Sequence, residues 1–409
     1  MNAINQAETP CAPGVTELVE RARAMIPALR ANAAEVEKAR SVPKETIDAF
    51  KEAGFFKILQ PRRWGGWEMD PCVFSKVLME LGRGCPSSAW NMMILGVHQW
   101  EFGLFDERAG NDMWAADNSV LVASSYAPFG KCRKVDGGWM LSGEWKTSSG
   151  CDHAQGGAIL GAFELDDEGN RRDTRSFLVS REDYDIIDDW FVVGLAGTGS
   201  KSVRIKGEAF IPDYRSHSVI DYTMTDRETP YLHPFNQVFY ASVSSVIIGF
   251  ARGMIDLYIE QMKPRQNIMG PAGAAAQNPY VKDKLGNAAL LVRSAQARLA
   301  QVFEEASAHV QRGELVPLHD RVFHFLEIQR CGKDCLDASM MLWKKLSARA
   351  IGLSNPVQLW MRAMLVAANH ITQNEDDNAG VLGGYLLGQG VPPFIYNLPE
   401  APACQEQAA

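Results

Sequence analysis

Two stretches of helical apolar period enclose about a hundred residues of strand-like texture, and that order constrains the fold more than any single motif does. In the first stretch Leu18, Ala22, Ile26 and Leu29 recur at three- and four-residue steps, which places them on one helix face. The charged run Glu35–Arg40 reads as the solvated side of the same helix. Pro43 predicts a helix start, Gly54 a stop, and the proline and glycines of Gln60–Gly66 a loop that redirects the chain. From about residue 119 the texture changes. Val120–Ser124, Trp139–Ser142, Ser176–Ser180, Ile186–Ile187, Phe191–Val193 and Ser202–Ile205 are short and β-branched or aromatic, with turns at Asp136–Gly138, Asp167–Asn170 and Gly197–Gly199. After about 221 the long period returns: Val246, Phe250, Met254, Tyr258 and Met262 step by four, as do Val292, Gln296 and Ala300 beside Leu299, Val302 and Phe303. This order predicts an α+β, mainly helical chain. Its parts are an N-terminal helical domain over 1–118, a small central β-domain over 119–220 and a C-terminal helical bundle with oligomer contacts over 221–409. Met269–Ala276 reads as a mobile loop and the last dozen residues as a frayed tail.

With 409 residues, 46% of them hydrophobic, the chain has material for a large core. Its 41 basic and 49 acidic side chains leave a net charge of −8, so no field gathers phosphates and a nucleic-acid reader is excluded as a first reading. Eight cysteines stand without a CxxC pair, and no basic-then-apolar leader precedes them, which predicts reduced thiols and a cytoplasmic location. No run approaches the ~18 consecutive apolar residues of a membrane span, so no membrane partner is expected. Cys331, Cys335 and His324 share a helix face but read as buried packing, with no metal site expected. No GxGxxG follows a strand, so a nicotinamide-binding half is not expected either.

Two local patterns bear on chemistry. Ser148, Ser149 and Gly150 are small enough to let backbone N–H groups and a hydroxyl approach a flat ring, although alone they read as a polar hairpin loop. His98 lies on an aromatic-rich helical segment, where a lone histidine is ordinarily a packing residue. Further segments change the weight of both. Val42-Pro43, Ala53–Phe56, Leu59–Pro61 and Trp64–Gly66, in a helix, strand, helix order, resemble the amino-terminal signature of the acyl-CoA dehydrogenase superfamily. Ala123–Lys131 and Ser148–His153 resemble, within that superfamily, the oxygenase components of two-component flavin-dependent monooxygenases. The likeness is to 4-hydroxyphenylacetate hydroxylase and steroid-degradation phenol hydroxylase oxygenases, and it covers about residues 15 to 395.

The resemblance implies hydroxylation of a phenolic or indolic aromatic ring through a C4a-hydroperoxyflavin. It implies reduced FAD or FMN, molecular oxygen as co-substrate, a separate flavin reductase and a homotetramer. It places His98 at the substrate hydroxyl, Ser124 towards the reacting oxygen and His370, eight residues after Arg362, over the flavin ring. Ser125, Ser148, Ser149 and Gly150 become flavin contacts, with Ser149 at the N5 edge. Arg265 and the Gly352–Pro356 turn become phosphate contacts between subunits. Trp100, Phe102, Phe129 and Trp145 are candidates for a water-excluding lining. The related dehydrogenases keep a glutamate base about one residue beyond His370, and here position 371 is Ile, while Glu375–Asp377 read as a solvated helix end. An acyl-CoA dehydrogenase-type flavoenzyme and a non-catalytic flavin-binding protein are the alternatives. Thr147 and Ala363 depart from the phenol-hydroxylase pattern, as does the ending Gly390–Asn397, so phenol and indole both stay open.

Overall fold

The computed structural model describes residues 12–166, 168–219, 229–266, 273–392 and 396. The tail after Tyr396, residues 269–272 of the Gly/Ala-rich loop and Asp167 lie outside the described residues. Five helices come first: α1 (Val15–Ala39), α2 (Lys44–Glu52), α3 (Pro71–Gly84), α4 (Pro86–Glu101) and α5 (Glu107–Trp114). Local sequence sets their ends. Arg40 takes a left-handed conformation after α1, and Pro43 caps α2. The Asp70 carboxylate accepts from the Cys72 N–H ahead of α3, and Pro71 and Pro86 stand at first helical positions.

Among the described residues nine strands follow: β1 (Val122–Val135), β2 (Gly138–Ser142), β3 (Glu144–Ser148), β4 (Gly157–Leu165), β5 (Arg171–Val179), β6 (Tyr184–Ile187), β7 (Lys201–Ile205), β8 (Ala209–Pro212) and β9 (Ser216–Ser218). Six of them form one sheet in the order β8-β2-β1-β4-β5-β9, and three form a second in the order β3-β7-β6. Only β1 and β4 pair in parallel among the registered strands, with a bulge between Ser125 and Phe129. The sheets pack around Trp145, whose indole fills the space left by Gly130: a Cβ there would stand 2.1 Å from the ring.

The last part holds α6 (Phe235–Met262), α7 (Pro279–Val310), α8 (Leu318–Leu346), α9 (Pro356–Ala368) and α10 (Glu375–Leu386). Helix α6 is long and apolar enough to cross a membrane by length and composition, but 83% of its apolar window is buried inside the protein, where it is the central rod. It touches α3 at a glycine pair: a Cβ on Gly82 would meet the Gly249 Cα at 2.9 Å. The Ser75 and Ser245 hydroxyls join the same two helices at 2.7 Å. This close crossing locks α3, and through the short Cys85 link it positions α4 against the sheets.

Three sequence expectations are corrected. Phe191–Val193 is an irregular loop with Phe191 and Val193 each 72% exposed, not a strand, because the adjoining pairing partners of β6 stop at Ile187. On α7 the buried stripe is Val292, Ala295, Leu299, Val302 and Phe303, while Gln296 and Ala300 face solvent; a 3.6-residue turn drifts off a strict step of four. The proposed aromatic lining is dispersed. Phe129 is 64% exposed, Trp145 donates to the Gly161 carbonyl inside the sheets, Trp100 donates to the Pro230 carbonyl, and Phe102 packs on Trp114.

Candidate active site

Helix α4 packs against β1 and carries Trp90 and His98 eight residues apart, about 12 Å along its axis. Between them Leu95 meets the loop after β3, where a Cβ on Gly150 would lie 3.1 Å from its side chain. That loop turns sharply: Thr147 and Gly150 both have positive φ, 61° and 71°. The turn presents Ser148, fully buried, with a hydroxyl that has no partner among the described residues. Asn91 and Ser88, one and two turns before Leu95 on the same side of α4, also keep buried oxygens without partners.

At the Trp90 end the hydroxyls form a directed chain. Thr198 donates to the Leu195 carbonyl at 2.7 Å, so its oxygen receives the Ser200 proton at 2.7 Å. Ser200 in turn receives the Ser149 proton at 2.6 Å. Trp90 donates its indole N–H to Ser149 Oγ at 3.1 Å. The Ser149 proton is therefore committed, and what Ser149 offers a ligand is a remaining lone pair. The Trp90 ring stands edge-on to His370 at 5.5 Å. His370 follows the last turn of α9 and lines an open cleft of about 660 Å³ with Lys333, Asp337, Asn369 and Glu375. Its Nδ1 accepts the Thr372 backbone N–H at 3.3 Å and lies 2.9 Å from the Thr372 hydroxyl, so the ring proton sits on Nε2. Burial pulls the His370 pKa down to about 4, which keeps the ring neutral and its Nε2–H a donor at neutral pH. Ile371, where a dehydrogenase base would stand, is 78% exposed and carries no proton-accepting group.

The other end is built differently. His98 is fully buried, with Nε2 unpartnered among the described residues and its ring 5.8 Å from Tyr126 and 5.7 Å from Phe239. Phe235 stacks on Phe239 at 4.3 Å, and Tyr126 stands edge-on to both, so an aromatic wall from β1 and α6 excludes water here. Ser124 is buried two residues before Tyr126 on the same strand face.

The predicted residues thus fall into four places. His98 and Ser124 share the aromatic end; Ser148, Ser149, Gly150 and His370 gather about Trp90; Ser125 turns to the other strand face, donating to the Lys146 carbonyl at 2.6 Å. Arg265 lies apart at the end of α6, held near the Leu346 carbonyl and Ser347. The Gly352–Pro356 turn meets the same helix end, because Gln261 and Asn355 exchange hydrogen bonds of 2.8 and 3.2 Å. Sequence reasoning missed Trp90, Thr198, Ser200, Thr372, Glu101, His217, Phe235 and Phe239. Only the i, i+3 spacing of His98 and Glu101 on one helix was a readable signal.

The thiols do not join the site. Cys151 donates to the Gly199 carbonyl and burial pushes its pKa up to about 12, while Cys331 donates to the carbonyls of Ala295 and Glu327. His324 pairs with Glu305 at 2.8 Å.

Comparison with known proteins matches residues 15–103 to the acyl-CoA dehydrogenase N-terminal domain and residues 241–375 to the acyl-CoA dehydrogenase C-terminal domain. The chain is 33% identical over 373 residues to the flavin-dependent monooxygenase, oxygenase subunit HsaA, of Rhodococcus jostii (strain RHA1), covering 90% of this chain and 97% of that protein. It is 30% identical over 414 residues to the FADH(2)-dependent resorcinol hydroxylase, oxygenase component, of Rhizobium sp. (strain MTP-10005), covering 95% and 98%. The crystal structure of 3-HSA hydroxylase from Rhodococcus sp. RHA1 superimposes with a TM-score of 0.88 at 31% identity, over 93% of this chain and 99% of that one.

Proposed function

This chain belongs to the acyl-CoA dehydrogenase superfamily and, within it, to the oxygenase subunits of two-component flavin-dependent monooxygenases, and on that premise we propose that it hydroxylates a phenolic ring. A separate reductase supplies its reduced flavin, and the working form is a homotetramer. The observation that carries the reading is the buried, unpartnered His98 Nε2 behind the wall of Tyr126, Phe235 and Phe239. A lone pair in that setting is satisfied by a ligand that brings one O–H on an aromatic body.

The residues around Gly150 fit a flavin. Buried oxygens on Ser88, Asn91 and Ser148 lack partners among the described residues, the loop backbone comes close because Gly150 has no Cβ, and Ser149 offers an acceptor. Those residues would hold the ring, with Ser125 bracing β3 from behind through the Lys146 carbonyl, and Arg265 with the Gly352–Pro356 turn would hold phosphate across a subunit boundary. Bound reduced flavin supplies the two electrons that activate dioxygen. The chain's own part is binding and proton control. His98 Nε2 takes the phenol proton, making the ring carbon ortho or para to the oxygen electron-rich. A free phenol, with a pKa near 10, is only about one part in a thousand ionised at pH 7, so this transfer is worth up to about 4 kcal/mol. His370, neutral and protonated on Nε2, would hold an N–H donor where the flavin is proposed to bind, and Ser124 would steady the Tyr126 side of the pocket.

The test is rapid mixing of oxygen with anaerobic protein and reduced flavin, with and without a panel of phenols and indoles. A hydroxylated phenol formed in step with oxygen consumption supports the reading. Peroxide release with every phenol, and product only from indole, replaces it with an indolic substrate. Bleaching of oxidised FAD by an acyl thioester without oxygen overturns it.

A further inference from the structure

Glu101 lies three residues after His98 on α4, fully buried, and has no place in the chemistry described so far. Its neighbours permit a proton inventory. The Ser218 carbonyl only accepts, so His217 Nδ1, 2.9 Å from it, carries a proton. His217 Nε2 is 3.0 Å from Glu101 Oε1. Either that nitrogen is protonated and faces a carboxylate, or Oε1 is protonated and donates to a neutral ring. In both arrangements the pair shares one proton and Oε2 has none. Tyr126 donates its only hydroxyl proton to Oε2. His98 Nδ1 then faces two oxygens that can only accept from it, Oε2 at 3.2 Å and the phenolic oxygen at 2.9 Å. Nδ1 must hold the ring proton, and Nε2 is left as a bare lone pair.

Among the described residues, the hydrogen-bonding groups of this cluster are His98 from α4, Tyr126 from β1 and His217 from β9, while Phe105 stands edge-on to His217 at 4.5 Å and α6 contributes the Phe235 and Phe239 rings. Burial alone would raise the Glu101 pKa, but the hydrogen bonds from His217 and His98 outweigh it and hold it down to about 2.

We propose that Glu101 is a positioning residue which, clamped by His217 and Tyr126, fixes His98 as a proton acceptor and offsets the charge that arrives with the substrate proton. The proposal rests on the phenol reading above. In the step it supports, the phenol O–H bond breaks and an N–H bond forms on His98 Nε2. The products are a phenolate and an imidazolium, and the imidazolium's Nδ1–H points at the carboxylate. Removing the carboxylate charge disfavours that ion pair; removing the Tyr126 hydroxyl, which shares Oε2, favours it.

The probe is 4-nitrophenol, whose ionised form is coloured, bound to the full chain loaded with reduced flavin under anaerobic conditions and titrated with pH. In the unsubstituted protein the bound phenol is expected to ionise at a lower pH than in solution, and His98→Ala should erase that difference. Glu101→Gln should move the bound midpoint up by about one pH unit, a tenfold change, and Tyr126→Phe should move it down by a smaller amount. Opposite signs separate charge control from mere loss of packing. Failure of 4-nitrophenol to bind, or a midpoint indifferent to His98→Ala, overturns the phenol reading itself. A midpoint that responds to His98→Ala but to neither Glu101→Gln nor Tyr126→Phe overturns the Glu101 proposal alone. Where Glu101→Gln does not fold, Tyr126→Phe decides, because it keeps both the carboxylate and the ring.

Discussion

His98 shares its pocket with a carboxylate, a phenol and a second imidazole, whereas His370 has for hydrogen-bonding company the backbone and hydroxyl of Thr372, two residues on. His98 is fully buried and His370 half-buried, and at His370 desolvation is the one cause that lowers its pKa, to about 4. At His98 a chain of donors and acceptors takes over. The result is a pair of imidazoles of opposite sense on either side of the loop at Gly150, a bare nitrogen at one end and an N–H at the other. The difference teaches that the tautomer of a buried histidine follows from which of its neighbours can only accept.

The largest effect expected from breaking this pair is at the His98 end. His98→Ala should lower hydroxylated product per reduced flavin by about 10²- to 10³-fold while oxygen is still consumed, measured as product against peroxide in single turnovers. Unchanged coupling would remove the acceptor half of the comparison.

His370 can be tested through stability. Its pKa is about 4 in the folded chain against 6.5 unfolded, so between those values the unfolded chain binds a proton that the folded chain refuses. Stability should therefore fall as pH drops from about 6.5 to 4 and level off below, with this residue contributing up to roughly 3 kcal/mol of the loss. Urea unfolding at pH 7, 5 and 4 should show a smaller acid loss in His370→Gln; an equal loss would mean that the ring is not held neutral.

Smaller effects sharpen the Trp90 end, where flavin is proposed to bind. Ser200→Ala leaves the buried Ser149 proton without its acceptor and should cost about 1 to 2 kcal/mol of stability, with weaker binding of reduced flavin read by anaerobic titration. Gly150→Ala puts a Cβ at positive φ against Leu95 and should cost about 1 kcal/mol, measured by thermal unfolding, with flavin affinity falling in parallel.

Much of this arrangement is readable before folding. The stripe from Val246 to Met262 is buried as its spacing predicts, and Pro43, Gly54 and Pro71 mark helix ends because their backbone limits are local. The resemblance to flavin-dependent monooxygenases is matched by relatives that span nearly the whole chain. Where the sequence misled, the cause was long-range. Trp100 and Trp145 look like pocket residues by type, yet each spends its N–H on a distant carbonyl, while Phe235 and Phe239 look like ordinary packing and form the wall instead.

What the chain determined by itself is therefore what neighbours in sequence decide: helix period, strand alternation, capping, and the placing of His98 and Glu101 one turn apart on α4. Tertiary structure alone decided what those two residues do. His217 reaches Glu101 from 116 residues away and Tyr126 from 25. A proton's position depends on every acceptor within about 3 Å, and in a folded chain those acceptors come from segments whose meeting no local pattern encodes.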